Sequence, residues 1–123
     1  MAQFENKHEY DLETRTLKFS TELVIFCKSC PKDAVTLPLM NQLIRAGTSI
    51  GANYREANGA SSKKDFQNKI FICKKEAKET LYWLELIGKS IDDVKLKEKA
   101  RNLWQEAKEF VLIFGKIANS TKK

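Results

Sequence analysis

This chain is poor in the residues from which catalytic centres and covalent frameworks are built. Of its 123 residues one is histidine, three are cysteine, two are proline and five are glycine. A single histidine, His8, leaves the Glu-x-x-His ligand pairs of di-iron bundles without material, so no metal or other cofactor is expected. Three cysteines, an odd count in a Lys/Glu-rich chain, fit reduced thiols rather than a disulfide framework. There is no glycine-rich phosphate loop, no strand-like alternation and no low-complexity segment. No nucleophile stands in a pattern that supplies it with a base, so no enzymatic activity is expected. Long apolar runs are missing too: Phe110 to Phe114 is far short of a membrane span, and Met1 to Tyr10 mixes acid and base unlike a signal peptide. The expected place is the cytoplasm, without membrane attachment.

What is present is a core-forming helical pattern. At 42% hydrophobic, 123 residues suffice for one domain with its own core, and no linker divides the chain. Net charge is +6, from 22 Lys and Arg against 16 Asp and Glu, with a pI of about 9.2. That balance favours an anionic partner, RNA or DNA before membrane, although proteins that bind neither are often as basic.

Residues 1–10 show no periodicity and read as a flexible arm. A first helix is predicted over about 11–30. Leu12, Phe19 and Phe26 repeat at sevens, with Thr16, Leu23 and Cys30 on the adjoining row, and Pro31 closes the helix. Thr36 is placed to cap a second helix over 37–58, with Pro38 tolerated in its first turn. Leu39, Leu43, Ala46, Ile50, Tyr54 and Ala57 form its apolar face. Gly47 and Gly51, costly inside a helix, point to a neighbouring backbone passing close by. Gly59 suits a left-handed helix end, and Ser62, helped by Asp65, caps a third helix over 63–91. Its core rows are Phe66, Cys73 and Thr80 beside Ile70, Ala77, Leu84 and Ile91. A fourth helix, capped at Asp92 or Asp93, covers 93–119 with Leu96, Leu103, Phe110 and Ile117 beside Ala100, Ala107 and Phe114. Short connections between four such helices imply an all-α, antiparallel up-down-up-down four-helix bundle.

Three groups of residues exceed what a core needs. On the second helix Gln42, Arg45, Ser49, Asn53 and Glu56 form a polar stripe roughly 105° from the apolar face. It reads either as a second contact surface or as an ordinary wet flank. With the second and third helices antiparallel about Ala60, Arg45 falls level with Lys75 and Glu76, and Glu56 with Lys64. An ion pair from Arg45 to Glu76 or Glu79 is predicted, with Ser49 and Asn53 filling the row between it and Glu56. Its role would be to fix the register of an oligomer, the alternative being pairs of little energetic weight within one chain.

On the third helix Ile72, Trp83 and Leu86 lie roughly 120° to 180° from the core rows. A monomer would leave the tryptophan in water, so self-association through these residues is expected. Opposite the core, Lys64, Phe71, Lys75 and Tyr82 share a face within roughly 40°, with Lys78 beside them. Cations alternating with rings can hold single-stranded nucleic acid, phosphates on lysines and bases on aromatics; a solvated lysine face is the plain alternative. Cys27-Lys28-Ser29-Cys30 is a lone C-x-x-C: half a zinc site, a redox pair, or two small apolar groups in the core.

The segment from Gln42 to Ala57, followed by Ser61-Ser62-Lys63-Lys64-Asp65-Phe66 and Lys75-Glu76-Ala77-Lys78-Glu79-Thr80, resembles a known family. These are the bacterial four helix bundle proteins encoded within intervening sequences of 23S ribosomal RNA genes. Arg45, Ser49, Asn53, Glu56, Asp65, Phe66, Glu76 and Glu79 coincide with its signature positions. Ala57, where many members have glycine, is a departure at the end of the second helix. The resemblance implies a four-helix bundle assembling into a ring, a homopentamer. It also implies remote kinship with the accessory variability determinant of diversity-generating retroelements, a pentameric barrel that binds nucleic acid and a reverse transcriptase. No enzymatic activity is attached to the family. The expected function is a non-catalytic, ring-forming accessory module that binds RNA or other nucleic acid; the alternative is a protein–protein interaction scaffold with an unidentified protein partner.

Overall fold

The computed structural model describes residues 7–121, which form four α-helices: α1 (Lys7–Ser29), α2 (Thr36–Asn58), α3 (Lys63–Ser90) and α4 (Val94–Ser120). No strand occurs among the described residues. Each helix packs on its chain neighbours, and α1 closes the circuit against α4, giving an antiparallel four-helix bundle.

The seven-residue rows converge on one core. Leu12, Thr16, Phe19, Leu23, Phe26 and Cys30 are buried from α1 and its end, and Leu43, Ala46, Ile50, Tyr54 and Ala57 from α2. Ile70, Cys73, Ala77, Thr80 and Leu84 face them from α3, and Ala100, Leu103, Ala107, Phe110 and Phe114 from α4. Phe19 meets Phe110 edge-on at 5.4 Å between ring centres, and Tyr54 reaches across the core to Phe114 at 5.5 Å. The edge-on Phe19–Phe110 contact suits the aromatic quadrupole. The core is wider than the rows implied, because Met40, Gly47, Gly51, Ile87 and Ala118 are buried beside them.

Gly47 and Gly51 mark where α1 presses on α2. A Cβ on Gly47 would lie 2.1 Å from Leu23 Cδ2, and one on Gly51 would lie 2.9 Å from Thr16 Oγ1. The close neighbours are chiefly side chains of α1, with its backbone a little further away at Thr16 C, 3.6 Å from the Gly51 position. Thr16 remains buried at this notch because its hydroxyl donates to Leu12 O at 2.7 Å within its own helix.

Several helix ends differ from expectation. Helix α1 already includes Lys7–Tyr10, since an established helix extends by one hydrogen bond per residue without needing an apolar stripe. Residues 1–6 of the expected arm lie outside the described residues, as do 122–123 of the basic tail. Thr36 is inside α2 rather than its cap. Asp33 does the capping: Oδ1 accepts from the backbone N–H groups of Val35 and Thr36, both at 2.8 Å. A carboxylate accepts two donors there, whereas one hydroxyl is committed to Pro31 O at 3.1 Å. Gly59 is not left-handed, with φ −101° and ψ 13°. Helix α2 instead unwinds through three-residue bonds, Gly59 N to Glu56 O at 3.1 Å and Ala60 N to Ala57 O at 3.0 Å. At the start of α3, Ser62 accepts from Asp65 N at 3.0 Å, and at α4 Asp93 accepts from Leu96 N at 2.9 Å. Ile91 is buried but extended, just past the end of α3.

Candidate functional site

The outer edge of the α2–α3 seam carries the polar stripe. Arg45, half-exposed, reaches α3 and pairs with Glu76 at 3.3 Å and with Glu79, while its Nε donates to Gln42 Oε1 at 3.1 Å. Glu79 also accepts from Trp83 Nε1 at 2.9 Å. One guanidinium, two carboxylates and an indole thus form a single clasp, in which each carboxylate has a charged partner.

The remainder of the stripe does not join it. Ser49 donates to Arg45 O at 2.5 Å and Asn53 to Ser49 O at 2.8 Å, both along α2 itself. Their side chains are too short to bridge helices packed about 8–10 Å apart, so they return to carbonyls one turn back. Glu56 pairs with Lys69 at 2.6 Å, not with Lys64. The level of the two helices is displaced beyond Ala60 toward α3, as a second contact shows: Cys73 Sγ donates to Ile50 O at 3.5 Å. The Glu56 carboxylate, by its hydrogen bond and its charge, holds the Lys69 ammonium above the usual lysine range.

Next to the clasp, Ile72, Trp83 and Leu86 are each partly buried. Trp83 packs against the core and is not left in water by a lone chain. Its indole N–H is satisfied by Glu79, so burial of the ring needs no second subunit.

The outer face of α3 is open. Lys64, Lys75 and Lys78 are exposed, as are Phe71 at 40% and Tyr82 at 59%. Tyr82 stands edge-on to Trp83 at 5.0 Å, which fixes its ring at the surface. Among the described residues none of these three lysines forms an ion pair. The face therefore keeps unneutralised cations between two aromatic surfaces.

The three cysteines are buried and free. Burial, aided by the nearby Cys30, pushes the Cys27 thiol up to about 12, and burial pushes Cys73 to about 12. Cys30 is raised by burial as well, with Lys32 pulling the other way. These are protonated core groups, the opposite of an activated thiolate. No cluster of three or more metal-ligating side chains occurs among the described residues, and none of their helices is long and apolar enough to cross a membrane.

Two features lay beyond sequence reading. Arg15 of α1 and Glu106 of α4 are joined by two hydrogen bonds, and Trp104 of α4 donates to Glu85 of α3 at 3.0 Å. Heptad rows assign faces but do not say which polar residues on distant helices meet.

The geometry defines a class: an antiparallel four-helix bundle with a clasp between two neighbouring helices and a cation-and-aromatic face on the longest helix. Residues 8–116 match the family described as 23S rRNA-intervening sequence protein, and the chain belongs to that family. It is similar to a crystal structure of a protein of unknown function from the S23 ribosomal protein family of Bacteroides thetaiotaomicron. The two share 35% identity over 87% of this chain and 97% of that one, with a TM-score of 0.75. No curated protein matches the chain.

Proposed function

We propose that the protein is a non-catalytic, homo-oligomeric bundle, a pentameric ring in the cytoplasm, that serves as a nucleic-acid-binding accessory module associated with RNA. The observation that carries this reading is the open face of α3, where Lys64, Phe71, Lys75, Lys78 and Tyr82 stand exposed and the lysines are unpaired. Phosphates would sit on the ammonium groups and bases on the rings, an arrangement suited to single strands. Repetition around a ring would multiply a weak site. The membership of a family named for 23S rRNA intervening sequences, and the net charge of +6, agree with an RNA partner.

The contact between copies would use the α2–α3 edge, with partly buried Ile72, Trp83 and Leu86 as the apolar centre and the Arg45 clasp as the polar rim. The rival function, a protein-interaction scaffold, draws on the same edge, whose partly exposed leucine and isoleucine could receive a different protein.

Filter binding of single-stranded RNA across a salt series tests the nucleic-acid reading. Affinity should fall steeply as salt rises, and the double variant Lys75→Glu/Lys78→Glu should bind more weakly at every salt concentration. Absence of binding at low salt removes this reading and leaves the scaffold. Native mass spectrometry tests the ring, and a protomer alone at micromolar concentration rejects it.

A further inference from the structure

On α3 the cation-and-aromatic row does not stop at Tyr82. The same face of α3 continues through Glu85 and Lys89, and at that end of the bundle it borders a groove of about 390 Å³ between α3 and α4. This lies within the size range of small-molecule clefts, about 300–1,000 Å³. Trp104, partly buried against the core, lines one wall. Lys89, Lys97 and Arg101 stand around it against the one carboxylate, Glu85, leaving an excess of positive charge. Lys97 is tied down, its Nζ donating to Gly88 O at 2.8 Å. Lys89 and Arg101 are exposed and, among the described residues, form no ion pair.

Gly88 helps keep the groove open. A Cβ there would meet only Ala100 Cβ, at 3.6 Å, an ordinary contact. Packing does not require this glycine, unlike Gly51, so a residue that weakens the helix stands where a side chain would narrow the groove.

We infer that the α3–α4 groove is a base-recognition subsite that takes one guanine of a single strand lying along α3. The inference rests on the reading of α3 as a nucleic-acid face and adds a specificity to it. Trp104 offers an aromatic wall for stacking, and Lys89 and Arg101 flank it as phosphate partners. Glu85 supplies the selectivity. Its Oε2 accepts from Trp104 Nε1 at 3.0 Å, which anchors the carboxylate beside the groove and leaves Oε1 and the second lone pair of Oε2 for a ligand. Guanine alone among the four bases carries two adjacent donors, N1–H and N2–H, on its pairing edge, and a carboxylate can accept both. Uracil offers one N–H between two carbonyls, which a carboxylate repels.

The test is fluorescence anisotropy with two labelled RNA octamers, eight uridines and the same strand with one central guanosine, titrated with the intact protein. The guanosine strand should bind about tenfold more tightly, as expected of one good paired contact. Glu85→Gln should reduce that preference to about twofold or less, while the loss of a negative charge beside the phosphate path raises the affinity of both strands. Lys75→Glu/Lys78→Glu should weaken both strands and keep the preference. Equal binding of the two strands to the unaltered protein overturns the subsite and leaves the nucleic-acid reading standing. A preference that survives Glu85→Gln overturns the role of the carboxylate and with it the subsite. Failure of both strands to bind removes the nucleic-acid reading and this inference together.

Discussion

Arg15 of α1 and Glu106 of α4 meet fork to fork, Nε to Oε2 at 2.7 Å and Nη2 to Oε1 at 2.8 Å, with the guanidinium carbon 5.5 Å from the centre of the Phe110 ring. These residues stand 91 positions apart and join the first helix to the last. The pair is partly exposed, so its charge is screened, but its two-bond geometry and the ring beneath it raise it above an ordinary surface pair.

Arg15→Ala should therefore cost about 1 kcal/mol in urea unfolding, and Arg15→Lys should recover only part of that because lysine cannot form the fork. A double-mutant cycle with Glu106→Ala should give a coupling of about 0.5–1 kcal/mol. Additive single effects would show that the pair contributes nothing.

Gly51→Ala should destabilise the bundle by about 1–3 kcal/mol, because the new methyl meets Thr16 Oγ1 at 2.9 Å in a filled core. Gly88→Ala, whose methyl finds ordinary contact, should raise stability by a few tenths to about 1 kcal/mol. Thermal melts of the two variants should shift in opposite directions.

The thiols give a signature at alkaline pH. Cys27 and Cys73 are pushed up to about 12 from an ordinary 9.0, so the folded state holds protons that the unfolded chain releases. Their stabilising effect is complete below pH 9.0 and is lost as pH rises from there toward 12. Unfolding midpoints should fall over that interval. Iodoacetamide at neutral pH should leave the native chain unlabelled and add three groups once urea is present, read by intact-mass spectrometry.

Asp33 gives the opposite sign at the acid end. The N–H groups of Thr36 and Val35 hold its carboxyl below the ordinary 3.8. Its contribution is present above that value and is lost as pH falls through the lower folded value. Asp33→Ala should lower the melting temperature at neutral pH, and Asp33→Asn should preserve most of it because the amide oxygen can still cap α2.

Arg45→Met separates the fold from the proposed assembly. The guanidinium is about half-exposed and its pairs lie within one chain, so the loss of fold stability should stay within about 0–1 kcal/mol. If the clasp also sets the register between copies, light scattering should show a broadened or smaller oligomer. An unchanged, homogeneous oligomer would reject that role.

Most of the architecture was legible in the sequence because it rests on period. Phe19, Leu23, Phe26 and their counterparts on α2, α3 and α4 recur at helical steps and are buried, except Leu39, Phe66, Leu96 and Ile117, which are partly buried at the rim of the core. Ser62, and Asp93 as one of the two candidates Asp92 and Asp93, were legible for a local reason, since a cap acts within three residues. Thr36 was misleading because Asp33, three residues earlier, already accepts from the N–H groups of Val35 and Thr36 itself, which starts the helix one step sooner. The level of α2 against α3 depended on how Gly59 and Ala60 leave the helix, and composition suggested a left-handed turn where the backbone makes tightened bonds. The Lys69 partner of Glu56 was missed for that reason. Trp104 against Glu85, and Arg15 against Glu106, arise from helix placement, which no single helix encodes.

The two glycines on α2 have a consequence for the order in which the molecule comes apart. Helix α1 is seated in the notch at Gly47 and Gly51 and touches α4 along a short stretch, whereas α3 packs extensively on both α2 and α4. Under native conditions α1 should detach first, its amides exchanging with deuterium ahead of those in α3, and leave a three-helix remnant with Phe110 uncovered.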